Sequence, residues 1–85
     1  MVKINKIQEN NNMNTKERLR IFGINVKSQR LRKGLSQEEL AEVCEISRNS
    51  VSLIETGKLN PTILKVLDIS KALGTTIEAL LLDVK

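Results

Sequence analysis

Residues 34–57 read GLSQEELAEVCEISRNSVSLIETG, in which two serine-initiated runs stand between two glycines. Ser36 is placed to accept from the free amides of a helix start. Glu39, three residues on, can return a bond to the serine backbone, which completes a capping box. The helix opened there is expected to run to about Cys44, with Leu40, Ala41 and Cys44 on one face. Glu38 and Glu39 lie against the positive end of its dipole. Ser47 repeats the start signal and opens a second helix through Glu55, with Gly57 as its stop. Only two or three residues separate the two helices.

On the N-terminal side, Leu19, Phe22, Val26 and Arg30 recur at helical spacing behind Thr15 and Arg18. This pattern predicts one amphipathic helix from Thr15 to near Lys33. Gly34 can take the left-handed cap conformation, and Leu35 can fold back onto the helix in a Schellman-type stop. Downstream, Asn60 and Pro61 make a turn, and Thr62 caps a fourth helix bearing Ile63, Val66, Leu67 and Ile69, which Gly74 closes. Thr75 or Thr76 starts a fifth helix, whose apolar face is Ile77, Leu80 and Leu81. Residues 1–14 stand apart as a polar leader, because Asn10, Asn11, Asn12 and Asn14 favour turns over helix interiors. Within that leader Val2, Ile4 and Ile7 can form a short strand or an arm, and Met13 is an alternative natural start. Residues 15–85 form one domain.

Composition agrees with a small helical bundle. The chain has 85 residues, 40% of them hydrophobic, with Phe22 the single aromatic; the remaining apolar residues are mostly Leu, Ile and Val at helical spacing, so the fold class is all-α. The net charge of +4 permits nucleic-acid binding, and its distribution is uneven. Residues 1–33 carry nine basic side chains against Glu9 and Glu17, whereas residues 34–46 carry Glu38, Glu39, Glu42 and Glu45 and no base. Cys44 is the only cysteine, which excludes an intrachain disulfide and a cysteine-based zinc site. The longest apolar run, Ala79 to Leu82, is too short to span a bilayer, and the N-terminus lacks a signal-peptide core. Cytoplasmic residence is expected. With no histidine, no tyrosine and no glycine-rich phosphate loop, no familiar acid, base or nucleophile constellation can be assembled, so the chain reads as a non-enzyme without metal or cofactor.

The run Val26-Lys-Ser-Gln-Arg-Leu-Arg-Lys-Gly-Leu-Ser-Gln-Glu-Glu-Leu-Ala41 resembles the Xre/Cro-type helix-turn-helix family of phage and bacterial repressors. So do Ile46 to Ser52, Ile54 to Lys58, Asn60-Pro61 and Ala72 to Gly74, and the likeness extends over residues 22–81. It implies a five-helix lambda-repressor-like DNA-binding domain with the helix-turn-helix proper at 36–55. Two positions depart from the family pattern. Glu45 stands where the tight turn commonly has glycine, which costs energy if its backbone is left-handed and leads us to expect a slightly altered turn. Leu53 stands where the family often has a polar residue on the DNA side, which either removes one base contact or replaces it by apolar contact to a thymine methyl.

A recognition helix presents its first turn to base edges in the major groove while the preceding helix crosses the backbone. Arg48 and Asn49 occupy that first turn. Arginine can bond guanine O6 and N7 together and asparagine adenine N6 and N7, so these two residues, with Ser52 and Leu53, are the candidate base contacts. Gln37 begins the preceding helix, where amides and dipole favour an anion, and is a candidate phosphate contact together with Ser36, Ser47, Thr56, Lys58 and Lys27. The plainer reading of the serines is capping, and of the lysines solvation. Ala41, Ile46, Val51 and Ile54 read as packing, and Cys44 as a small buried apolar residue. Arg30 on the apolar stripe and Glu55 on the core side of its helix are expected to pair, as the resemblance also implies.

The expected partner is double-stranded DNA, addressed by a homodimer on a palindromic operator, with Ile77, Leu81 and Leu82 as candidate dimer contacts. No membrane association and no small-molecule ligand are expected, since the chain offers no second domain for a signal. The alternative is a protein-interaction module such as an antitoxin or scaffolding factor on the same fold. Repressor, restriction-modification controller, antitoxin and metabolic regulator all remain open.

Overall fold

The computed structural model describes residues 13–85, which form five helices with no strand among them. They are α1 (Thr15–Lys33), α2 (Gln37–Cys44), α3 (Arg48–Glu55), α4 (Ile63–Leu73) and α5 (Ile77–Leu80). The leader positions Val2, Ile4 and Ile7 lie outside the described residues.

Each helix begins at a polar side chain that accepts a bond from the third helical amide: Asn14, Ser36, Ser47, Thr62 and Thr76. Asn14, which the composition assigns to the leader, thus belongs to the folded domain; its Oδ1 accepts from the amide of Glu17 at 2.9 Å. Four helices end in the paired bonds of a Schellman stop, with Gly34, Glu45, Gly57 and Gly74 at positive φ. At Glu45 (φ 56, ψ 43) the Glu45 amide donates to Glu42 and the Ile46 amide to Ala41. The turn therefore keeps its full hydrogen bonding although its left-handed residue carries a Cβ.

The core gathers Phe22 and Val26 of α1, Leu40, Ala41 and Cys44 of α2, Val51 and Ile54 of α3, and Val66, Ile69, Leu73 and Leu80 of α4 and α5. Burial of each large aliphatic contributes about 1.5–3 kcal/mol. α1 packs on α3, α4 and α5, and α2 packs on α3 and α4. On α4, Val66 and Ile69 are inside, Leu67 is half-buried and Ile63 faces out. The expected apolar face of α5 is narrower than the sequence pattern implies: the helix is one turn long and ends at Leu80, so Leu81 falls beyond it and is exposed. Ile77 packs against the core. From α1, both hydrogens of the Asn25 amide nitrogen reach this end, donating to the carbonyls of Leu80 and Leu82 at 2.8 Å each. No helix of the described residues is long and apolar enough to cross a membrane.

Candidate nucleic-acid interface

The eight residues of α3 divide sharply between two faces. Val51, Ile54 and Glu55 are buried. Arg48 and Asn49 are exposed, and Ser52 and Leu53 are half-buried beside them. At 3.6 residues per turn these four and Thr56 share one surface, opposite the residues that enter the core. Ser47 opens the helix: its Oγ accepts from the Ser50 amide at 3.0 Å and its hydroxyl donates to Ser50 Oγ at 2.9 Å. Thr56 closes it, its hydroxyl donating to the Ser52 carbonyl at 2.8 Å.

The far end of α3 is anchored by charge. Arg30, 7% exposed, and Glu55, 6% exposed, meet in a bidentate pair. Arg30 Nε donates to Glu55 Oε2 at 2.6 Å and Arg30 Nη2 to Oε1 at 3.1 Å. The remaining Arg30 nitrogen, Nη1, donates to the Leu35 carbonyl at 2.8 Å, so the guanidinium joins α1, the turn before α2, and α3. The hydrogen bonds Arg30 donates to Glu55 raise its pKa against the opposing effect of burial. Glu55 Oε1 also accepts from Gln37 Nε2 at 3.1 Å. The side chain of Gln37 is thereby turned inward and half-buried, and what Gln37 offers outward is its backbone amide at the α2 start.

Beside it, Ser36 and Glu39 form the capping box: Glu39 N donates to Ser36 Oγ at 3.0 Å, and Ser36 N donates to Glu39 Oε1 at 2.8 Å. The Ser36 backbone N–H, followed by its hydroxyl, holds the Glu39 carboxyl below the usual glutamate range. Glu38 extends outward from the same turn, its Oε1 3.8 Å from Arg48 Nε. Ser36, Thr56, Lys58 and Lys27 are all exposed. The α2 start, the α3 outer face and the Thr56–Lys58 segment thus carry polar groups and lysines around a helix whose own outer surface is free of core contacts.

Two glycines place α3 against α1: Gly23, which no local signal singles out, and Gly57, which the sequence marks only as a helix stop. A Cβ on Gly23 would meet the carbonyl oxygens of Ile54 and Glu55, the latter at 2.6 Å, and one on Gly57 would lie 2.7 Å from Arg20 Cα. Both neighbours are backbone and cannot swing away. The Gly57 contact brings the backbone of Arg20, an exposed residue of α1, against the end of α3. Of the other sequence candidates, Leu81 and Leu82 are exposed past α5, whereas Ile77 is partly buried. Cys44 is buried, and burial pushes its thiol pKa up, away from the reactive thiolate.

This pairing of two capped helices across a tight turn, with one face of the second helix outward, is also what a family comparison finds: a helix-turn-helix model matches residues 26–80. The chain belongs to the Xre/Cro-like helix-turn-helix family. A relative, the uncharacterized HTH-type transcriptional regulator y4dJ of Sinorhizobium fredii, is 33% identical over 57 residues, spanning 67% of this chain and 74% of that protein. Among solved structures, the restriction-modification controller protein C.AhdI from Aeromonas hydrophila is 34% identical with a TM-score of 0.70, over 73% of this chain and 94% of that one. The clp gene regulator ClgR from C. glutamicum is 27% identical with a TM-score of 0.72, over 74% and 81% of the two chains. A hypothetical transcription factor, NHTF from Neisseria, is 30% identical with the same TM-score, over 81% and 79%. The fold of this helix-turn-helix regulator is accordingly the lambda-repressor-like one.

Proposed function

We propose that the chain is a sequence-specific transcription regulator, a repressor or controller acting in the cytoplasm, that binds a palindromic operator as a homodimer. The observation that carries this reading is the division of α3, whose Arg48, Asn49, Ser52 and Leu53 lie on a face turned away from the core. In the proposed complex that face enters the major groove, with Arg48 on guanine and Asn49 on adenine. Ser36, the Gln37 amide, Ser47, Thr56, Lys58 and Lys27 meet phosphates on either side and fix the register. One eight-residue helix reads only a few base pairs, so a second copy joined through Leu81 and Leu82 supplies the other half-site about one helical turn away.

The experiment is selection of duplexes from a random-sequence pool, followed by binding measurements on the selected and a scrambled duplex at several salt concentrations. Expected are a palindromic selected sequence, a complex of two chains per duplex by sedimentation, and a steep loss of affinity with salt. Lys58→Ala should weaken both duplexes by similar factors and lower the salt slope by about one. Failure to enrich any sequence, or a strict 1:1 complex on a palindrome, would count against sequence-specific or dimeric binding respectively.

A further inference from the structure

Resting on the DNA-binding reading above, we propose that Glu38 is a positioning residue for Arg48 and so a determinant of which base the recognition helix selects. Gln37 and Glu38 begin α2 side by side, yet only Glu38 reaches the first turn of α3, because Gln37 is drawn inward to Glu55 at its last turn. The first turn of α3 holds no acidic residue of its own. Glu38 is the carboxylate paired with Arg48, and it approaches the Nε edge at 3.8 Å. That leaves the two terminal guanidinium nitrogens without a protein partner among the described residues, and those two can reach guanine O6 and N7 together. Both side chains are exposed, 64% for Arg48 and 78% for Glu38, so the pair adds little to the stability of the free protein.

Its effect belongs to binding. An exposed arginine samples many rotamers, and one biased toward a neighbouring carboxylate on its Nε side loses less freedom when it meets a base. Docking also removes water from around the pair, which strengthens its attraction. When Arg48 faces a base that offers no paired acceptors, the carboxylate remains near the groove without compensation, and the wrong sequence is disfavoured. Glu38 thus acts through Arg48 and not as a contact in its own right.

The test measures binding of the intact chain and of Glu38→Ala, Arg48→Ala and the double variant to a duplex selected by the wild type and to a scrambled duplex. Glu38→Ala is expected to weaken the selected duplex about two- to fivefold, the range of an exposed ion pair, while the scrambled duplex is bound as well as before or more tightly. In the Arg48→Ala background the same substitution should cost nothing further on the selected duplex. Reselection with Glu38→Ala should relax preference at the base pair read by Arg48, and Glu38→Gln, which keeps an acceptor at the same length, should recover part of the loss. Equal changes on both duplexes, or a Glu38 effect that persists without Arg48, would overturn the positioning role and leave only a general charge effect. If the wild type binds no duplex at all, the DNA-binding reading itself fails, an outcome separate from the others because it precedes any variant.

Discussion

The last turn of α3 is held by a buried bidentate ion pair, an amide from α2 and two close backbone approaches involving α1, whereas its first turn rests on a serine cap and one exposed charge pair. The two ends lie only about 12 Å apart along one short helix. Their difference separates two requirements that the same eight residues must meet. The helix has to be placed accurately relative to the scaffold, and its leading side chains have to remain available to something outside. Concentrating the restraints at Glu55 fixes the position and leaves Arg48 and Asn49 exposed.

Breaking the anchor should therefore be costly to folding, and Arg30→Met is the most severe single change expected. It leaves Glu55 buried with only the Gln37 amide as a partner and should lower stability by about 3–5 kcal/mol in chemical denaturation. Adding Glu55→Leu should recover much of that loss, because two apolar groups need no partners. A loss under about 1 kcal/mol for Arg30→Met would mean that the anchor lies elsewhere. Gly23→Ala comes next. One added methyl group meets carbonyl oxygens that belong to the end of α3, so α1 and α3 must part, at a cost of about 2–3 kcal/mol, toward the upper part of the range for overpacking. An unchanged midpoint would show that the two helices can separate freely. The smallest effect, and the one of opposite sign, is expected in the turn that leads into the first turn of α3. Glu45→Gly relieves a left-handed Cβ but loosens the unfolded chain, and the balance should raise stability by about 0.5–1 kcal/mol. Thermal melts that show destabilisation would mean that Glu45 has a compensating role in the turn.

These contrasts also explain what the sequence made legible. Ser36, Ser47, Thr62 and the stops at Gly34 and Gly74 act within a few residues of themselves, so five helices in order can be read locally, and the family pattern adds their arrangement. Even there Asn14 escapes notice, because its neighbours in the asparagine run resemble a leader more than a cap. Residues whose role depends on a distant element are less visible. Gly23 has no special φ to advertise it and matters only because α3 ends against it. Gln37 occupies a position suited to phosphate contact, and only the location of Glu55, 18 residues away, turns its side chain inward. The pairing of Glu38 with Arg48 likewise depends on how α2 and α3 cross, which charge spacing along the chain does not encode.

The clamp made by Asn25 has a kinetic meaning. Its two hydrogen bonds join residues 55 and 57 positions apart, the widest separations among the side-chain bonds described. A contact of that span closes a long loop, and the entropy of closing it must be met before the contact forms. The single turn of α5 is too short to persist by its own backbone bonds. Native-state hydrogen exchange should accordingly find this segment opening before the α1–α3 junction. The surface offered by Leu81 and Leu82 is held to the scaffold by Leu80 in the core and by one asparagine side chain that grips two carbonyl groups.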